Sequence, residues 1–134
     1  MREHIKGEVI KAFGNLIVVR FHGSIRQGEI VKVDLPEASL KGEVIEINGD
    51  EAKIQVFEDT RGVQLGTHVQ FSNSLLEAEL GPGLLGSIFD GLQNPLEKIA
   101  EETGLFLRRG VYLDALDRLK NWDFSPQVKV GDRC

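Results

Sequence analysis

Apolar and polar residues alternate along the first half of the chain with the period of a β-strand. KGEVIKAF (residues 6–13) and LIVVRF (16–21) meet at Gly14-Asn15, a hairpin signal. A second hairpin runs from residues 43–47 through Asn48-Gly49-Asp50-Glu51 into residues 53–57. There Ile45 and Ile47 alternate with Glu46, and Ile54 and Val56 with Lys53 and Gln55, so each strand is expected to bury its isoleucine face. The pentapeptide Lys-Gly-Glu-Val-Ile opens both hairpins, at 6–10 and 41–45. Two copies are too few for a solenoid but suit a small barrel of similar hairpins. Residues 28–35, stopped by Pro36, and 67–71 read as further strands. The fold expected is mainly β: a six- or seven-stranded antiparallel β-barrel over residues 1–73, closed or nearly closed because closure removes exposed edges.

After the barrel the pattern changes. Residues 74–80 read as one more strand-like run, followed by the glycine-rich GPGLLG at 81–86 and an apolar stretch at 84–89 expected on a short helix. A second helix starts at Asn94-Pro95-Leu96-Glu97, where Asn94 can cap, Pro95 fits the first helical position and Glu97 completes a capping-box spacing. Leu96, Ile99 and Thr103 share its face, and Gly104 stops it. Residues 74–104 thus form a junction. Residues 105–134 are mixed, and 124–132 read as a strand entering a Gly-Asp turn. No return strand follows, so the chain is expected to be the front piece of something longer.

The glycines raise a chemical question, because Gly81, Gly83 and Gly86 spell G-x-G-x-x-G, the dinucleotide fingerprint. The context opposes that reading. Pro82 removes one of the N–H groups a pyrophosphate would need, Gly86 and Gly91 interrupt the following stretch, and hairpins rather than a βαβ unit precede it. Glu101 and Glu102 lie at about the right distance for a ribose partner, but on the predicted helix. No G-x-x-x-x-G-K-[ST] phosphate loop occurs. The plain reading is a tight linker in which Gly81, Pro82 and Gly83 turn the backbone and Leu84, Leu85, Ile88 and Phe89 plug against a neighbouring domain or subunit.

Composition narrows the classes further. The net charge of −5 and the scattered lysines and arginines, adjacent only at Arg108-Arg109, argue against nucleic acid. The single cysteine, Cys134, allows no internal disulfide and suits a reducing compartment. The N-terminus has no apolar signal core, and no apolar run approaches the ~20 residues needed to cross a bilayer. His4, His22 and His68 have no ligand spacing, so no metal site is expected. Ser87 lacks a nucleophile elbow. Glu58-Asp59 and Glu101-Glu102 read as solvated charges. Arg61, between Thr60 and Gly62, reads either as an exposed turn residue or as a contact to a neighbour. Trp122 and Phe124 either anchor a partner or pack on the chain's own helix.

Three stretches carry a resemblance. EAELGPGLLGSIFDGLQNPLEKI (77–99), KGEVIEINGDEAKIQVFEDTRGVQLGTHV (41–69) and RGVYLDALDRLKNWDFSPQVKVGD (109–132) resemble the catalytic A subunits of V-type and archaeal-type rotary ATPases. The middle stretch includes the E-x-T-x-G-V-x-x-G pattern of Glu58, Thr60, Gly62, Val63 and Gly66. The similarity is collinear over nearly the whole chain. It implies a barrel at 1–73 that joins B subunits in an alternating ring, a junction at 74–104 leading toward the nucleotide domain, and the root of a β insertion at 105–134 lying near peripheral-stalk subunits. For the full-length subunit it implies ATP and magnesium, ATP hydrolysis or synthesis coupled to proton or sodium movement, and a cytoplasmic position peripheral to a membrane complex. It carries over no catalytic, nucleotide-binding or metal residue and no cofactor to these positions. The candidate interface and junction residues are Gly81, Pro82, Gly83, Leu84, Leu85, Ile88, Phe89 and Arg61. The competing reading is a free-standing oligonucleotide-binding barrel, which needs exposed aromatics on a basic face.

Overall fold

The computed structural model describes residues 5–104, 106 and 108–133, so His4 and Cys134 lie outside the described residues. Among the described residues there are six strands: β1 (Lys6–Phe13), β2 (Leu16–Phe21), β3 (Glu29–Asp34), β4 (Ser39–Asn48), β5 (Glu51–Val56) and β6 (His68–Leu75). They close into an antiparallel barrel in the order β1-β2-β5-β4-β3-β6. The alternating residues point inward as period two requires, and Val9, Ile17, Val19, Val31, Val33, Leu40, Val44, Ile54, Val56, Val69 and Phe71 are buried together in one core. Phe21 and Phe71 meet inside it with ring centroids 5.6 Å apart.

The repeated pentapeptide proves to be a geometric device. A Cβ on Gly7 would lie 2.6 Å from Val19 Cγ1 and 2.7 Å from Arg20 O, and one on Gly42 would lie 2.8 Å from Gln55 O. Only glycine lets β1 approach β2, and β4 approach β5, this closely. Each valine that follows, Val9 and Val44, turns into the core. The isoleucine after it, Ile10 or Ile45, is the extra residue of a β-bulge, because the register shifts between Val9 and Lys11 and between Val44 and Glu46.

Correspondence extends beyond the pentapeptide. Val9 O accepts the N–H of Gly66 at 2.8 Å, and Val44 O accepts the N–H of Gly28 at 2.7 Å. Both glycines have left-handed φ angles, 83° and 82°. Each hairpin turn also caps the other hairpin: Asn15 O accepts from Val56 N at 2.8 Å, and Asp50 O from Phe21 N at 3.0 Å. The barrel is therefore an approximate two-fold, with β1, β2 and β6 matching β4, β5 and β3.

Several sequence expectations need correction. Ile45 does not share a buried face with Ile47: the bulge at Ile45 shifts the phase, so Val44 is buried and Ile45 exposed. The run expected over residues 74–80 is not a strand of its own: β6 ends at Leu75, and residues 76–80 are not strand. β6 carries its own irregularity around Asn73, at φ 58°, whose N–H donates to the buried Glu29 Oε1 at 2.7 Å. Residues 81–87 form two successive turns and Phe89 lies in a β-bridge, so residues 84–89 are not a helix. Among the described residues α1 (Leu96–Thr103) is the one helix. Gly104 ends it, donating to Ala100 O at 2.9 Å. Asn94 does not cap it, and no side chain does. Ile99 is buried, but Leu96 faces solvent. Residues 124–132 form no strand among the described residues; they end in a turn with Asp132 N donating to Lys129 O at 3.1 Å.

Replacing Gly42 with alanine forces a Cβ against backbone and should destabilise the barrel by about 1–3 kcal/mol. Gly91→Ala, with open space around the added carbon, should stay within about 0.5 kcal/mol of the parent. Chemical denaturation followed by circular dichroism would check both, and equal effects would contradict the close-approach argument.

Candidate interface and junction site

After β6 the chain leaves the barrel and folds back over one end of it as a strap. The strap has no sheet to satisfy its backbone, so side chains do that work. Asp90 Oδ1 accepts from Leu92 N at 2.9 Å and from Asn94 N at 2.8 Å, while its Oδ2 accepts from Asn94 Nδ2 at 2.8 Å. Buried Asn94 turns its Oδ1 to Leu113 N at 2.9 Å, which explains why it is unavailable as a helix cap. Gln93 forms a two-bond clip with the backbone of Glu79: its Oε1 accepts from Glu79 N and its Nε2 donates to Glu79 O, each at 2.7 Å. The Glu79 carboxylate pairs with Arg118. Loop 90–94 is thus the hub that ties residue 79 to residues 113–118.

The glycine motif sits on the outer side of this hub. Gly81 faces Leu116, and Gly83 faces the ring of Trp122, with 3.0 Å and 3.2 Å left for a Cβ. Ser87 Oγ donates to Gly83 O at 2.9 Å. No helix follows Gly86 directly, so the backbone amides of 81–86 have no helix N-terminus behind them. Of the candidate apolar residues, Leu84 and Phe89 are half-buried, whereas Leu85 is 98% and Ile88 66% exposed. Pro82 is exposed. Phe89 bridges to Pro95, and Ile88 O accepts from Leu96 N at 3.0 Å. Phe124 is exposed and Lys120 Nζ lies 4.2 Å from the centre of the Trp122 ring.

The eighth candidate, Arg61, lies apart from these seven, in the loop between β5 and β6. Its Nε donates to Asp59 Oδ2 at 2.7 Å. That loop borders an open cleft of about 1020 Å³ between barrel and strap, lined by Phe57, Leu76, Leu92, Ile99 and Val111 along with charged residues. Sequence reasoning missed the residues that build the cleft. Glu58 is not a solvated charge: it is half-buried and accepts from Gly110 N at 2.8 Å and from the Tyr112 hydroxyl. Burial first, then Glu58, pushes the Tyr112 phenol well above its ordinary value. Lys41, 4.0 Å from the centre of the Tyr112 ring, is lowered, chiefly by burial and then by Lys32. Glu101 and Glu102 are exposed, as read from the sequence. His22 and His68 are exposed, and no group of three or more metal-ligating side chains gathers among the described residues.

Two outcomes are expected. Burial works to raise the Asp90 carboxyl, but hydrogen bonds from the Asn94 side chain and from the Asn94 and Leu92 backbone outweigh it and hold the group below its usual value. A depressed folded value means the stabilisation is complete above the ordinary aspartate range and is lost as pH falls through it, from about pH 4 downward. The Leu92 and Asn94 amides should therefore lose hydrogen-exchange protection in acid before the amides of β2 and β5 do; simultaneous loss would contradict this. Asn94→Ala orphans Leu113 N and should weaken the strap by about 1–3 kcal/mol, seen as local exchange with the barrel's own amides unchanged.

The family model for the ATP synthase alpha/beta family, beta-barrel domain, matches residues 9–73. Along 127 residues, 95% of the chain, it is 63% identical to a V-type ATP synthase alpha chain of Protochlamydia amoebophila. It is 52% identical over 128 residues to V-type ATP synthase alpha chain 1 of Treponema pallidum. It is also 52% identical over 130 residues to the V-type ATP synthase alpha chain of Chlamydia trachomatis serovar D. The chain spans 21% to 22% of the length of these relatives. The closed six-stranded barrel at the matched positions agrees with that match: residues 9–73 are a β-barrel domain of the ATP synthase alpha/beta family.

Proposed function

We propose that these residues are the assembly part of the A subunit of a V-type ATP synthase. The barrel joins neighbouring B subunits in a ring, residues 74–104 lead toward the nucleotide domain, and residues 105–134 begin the subunit's insertion, near peripheral-stalk subunits. ATP and magnesium act elsewhere in the full-length subunit, where ATP synthesis or hydrolysis is coupled to proton or sodium movement in a complex on the cytoplasmic face of a membrane. The observation that carries this reading is the identity of 63% over 127 residues, 95% of the chain, a stretch that takes in both barrel and strap. Two features support it: the sequence holds no phosphate loop, and the strap exposes Leu85 and Ile88, the kind of apolar surface that a neighbouring subunit covers. No described helix is long and apolar enough to cross a membrane.

An oligonucleotide-binding barrel is disfavoured by the net charge of −5 and by the burial of Phe21 and Phe71 inside the barrel, where they cannot stack on bases.

An antibody against this chain, used on a blot of source-cell extract, tests the proposal. The expected band is several times larger than 14.9 kDa and co-sediments with membranes. A band at 14.9 kDa in the soluble fraction would overturn the assembly role.

A further inference from the structure

The loop between β5 and β6 is gripped from three directions. Thr60 Oγ1 donates to Gly14 O, in the turn between β1 and β2, at 2.7 Å. The Asp59 carboxylate accepts from Arg61 N at 2.9 Å and from Arg61 Nε at 2.7 Å, and these bonds hold that carboxyl below its usual value. From outside the matched barrel, one Nη of Arg109 donates to Asp59 O at 3.1 Å and also to Arg61 O. The residues beside Arg109 tighten the grip. Gly110 N and the Tyr112 hydroxyl both donate to Glu58, and the same hydroxyl accepts from Lys41 N at 2.7 Å. Arg109 and Tyr112 thus span the loop's start and its apex from a segment about fifty positions later in the chain.

What this grip displays is Arg61. Its side chain is 88% exposed, and its guanidinium engages described residues through Nε alone. The two terminal amino groups remain as a planar fork, the geometry that pairs with a carboxylate through two parallel bonds. A fork on a loose loop would lose conformational freedom on docking, and a loop fixed beforehand avoids that cost. We propose that Arg109 and Tyr112 are positioning residues that clasp the Glu58-Asp59-Thr60-Arg61 loop and present Arg61 to a carboxylate on a neighbouring subunit. This rests on the assembly reading above, and it makes a barrel contact depend on residues outside the barrel.

Two measurements test it. In this chain, Arg109→Ala and Tyr112→Phe should speed hydrogen exchange of the Arg61 and Val63 amides, and trypsin cleavage after Arg61, by about tenfold, the scale set by one charge-assisted bond. Amides of β2 and β5 should not change, which shows that the barrel stays folded. In the full-length subunit mixed with its B subunit, Arg61→Ala and Arg109→Ala should each weaken association. The double variant should be no weaker than Arg61→Ala alone, because Arg109 acts through Arg61. Arg61→Lys should restore only part of the affinity, since an ammonium lacks the fork. Unchanged exchange in both variants would overturn the clasp. Additive losses in the double variant, or association indifferent to Arg61→Ala, would overturn the presentation of Arg61. If the wild-type subunit formed no complex at all, the assembly reading itself would fall, and the presentation with it, while the exchange result would still decide whether the clasp exists.

Discussion

The structure depends on two places where backbones touch with no side chain between them. At Gly7 and Gly42 the partner strand lies within 3 Å of where a Cβ would sit. The strand can bend there, and the bulge that follows adds twist. Six short strands can then close on themselves, leaving no edge for another chain to pair with. Closure also fixes which side chains enter the core, because each strand's phase is set at its bulge. A shift of one residue would move every valine of that strand to the wet face.

The strap is held in a different manner. It buries little apolar side chain besides Ile99 and relies on carboxylates and amides that satisfy backbone N–H groups. Asp90, Asn94, Gln93 and Glu58 each bond to two or more groups. Asn94 is buried and Gln93 and Glu58 are half-buried, so their bonds are costly to orphan. The surface ion pairs of the barrel, Arg20 with Glu51 and Lys53 with Glu46, are largely solvated and contribute little by comparison. The barrel is thus stabilised by apolar volume, and the strap by directional bonds. The strap is the part that acidity or a single polar substitution can release.

Sequence made the hairpins legible because period two and the Gly-Asn and Asn-Gly turns are local signals. It also exposed the duplicated Lys-Gly-Glu-Val-Ile, though not the bulge inside it: a bulge is a relation between two strands, and Ile45 looks like any inward isoleucine until its partner's register is known. Asn94-Pro95 matched a helix cap because the motif is defined by spacing, whereas the competing partners, Asp90 and Leu113, are brought in by the fold. Residues 124–132 have strand-like residues but no strand beside them, and β-propensity without a partner does not make a sheet. The clasp was invisible for the same reason, since Glu58 and Tyr112 meet only through tertiary structure.

The approximate two-fold of the barrel separates what is obligatory from what is not. Whatever closure demands appears twice: the paired glycines, the bulges, the turn that caps the opposite hairpin. The connection from β5 to β6 has no full twin, for the shorter link from β2 to β3, residues 22–28, carries Arg26 but no carboxylate to match Glu58 and Asp59. A feature that a duplicated framework carries only once is not required for that framework to stand, so its residues have been left open to selection for something other than stability.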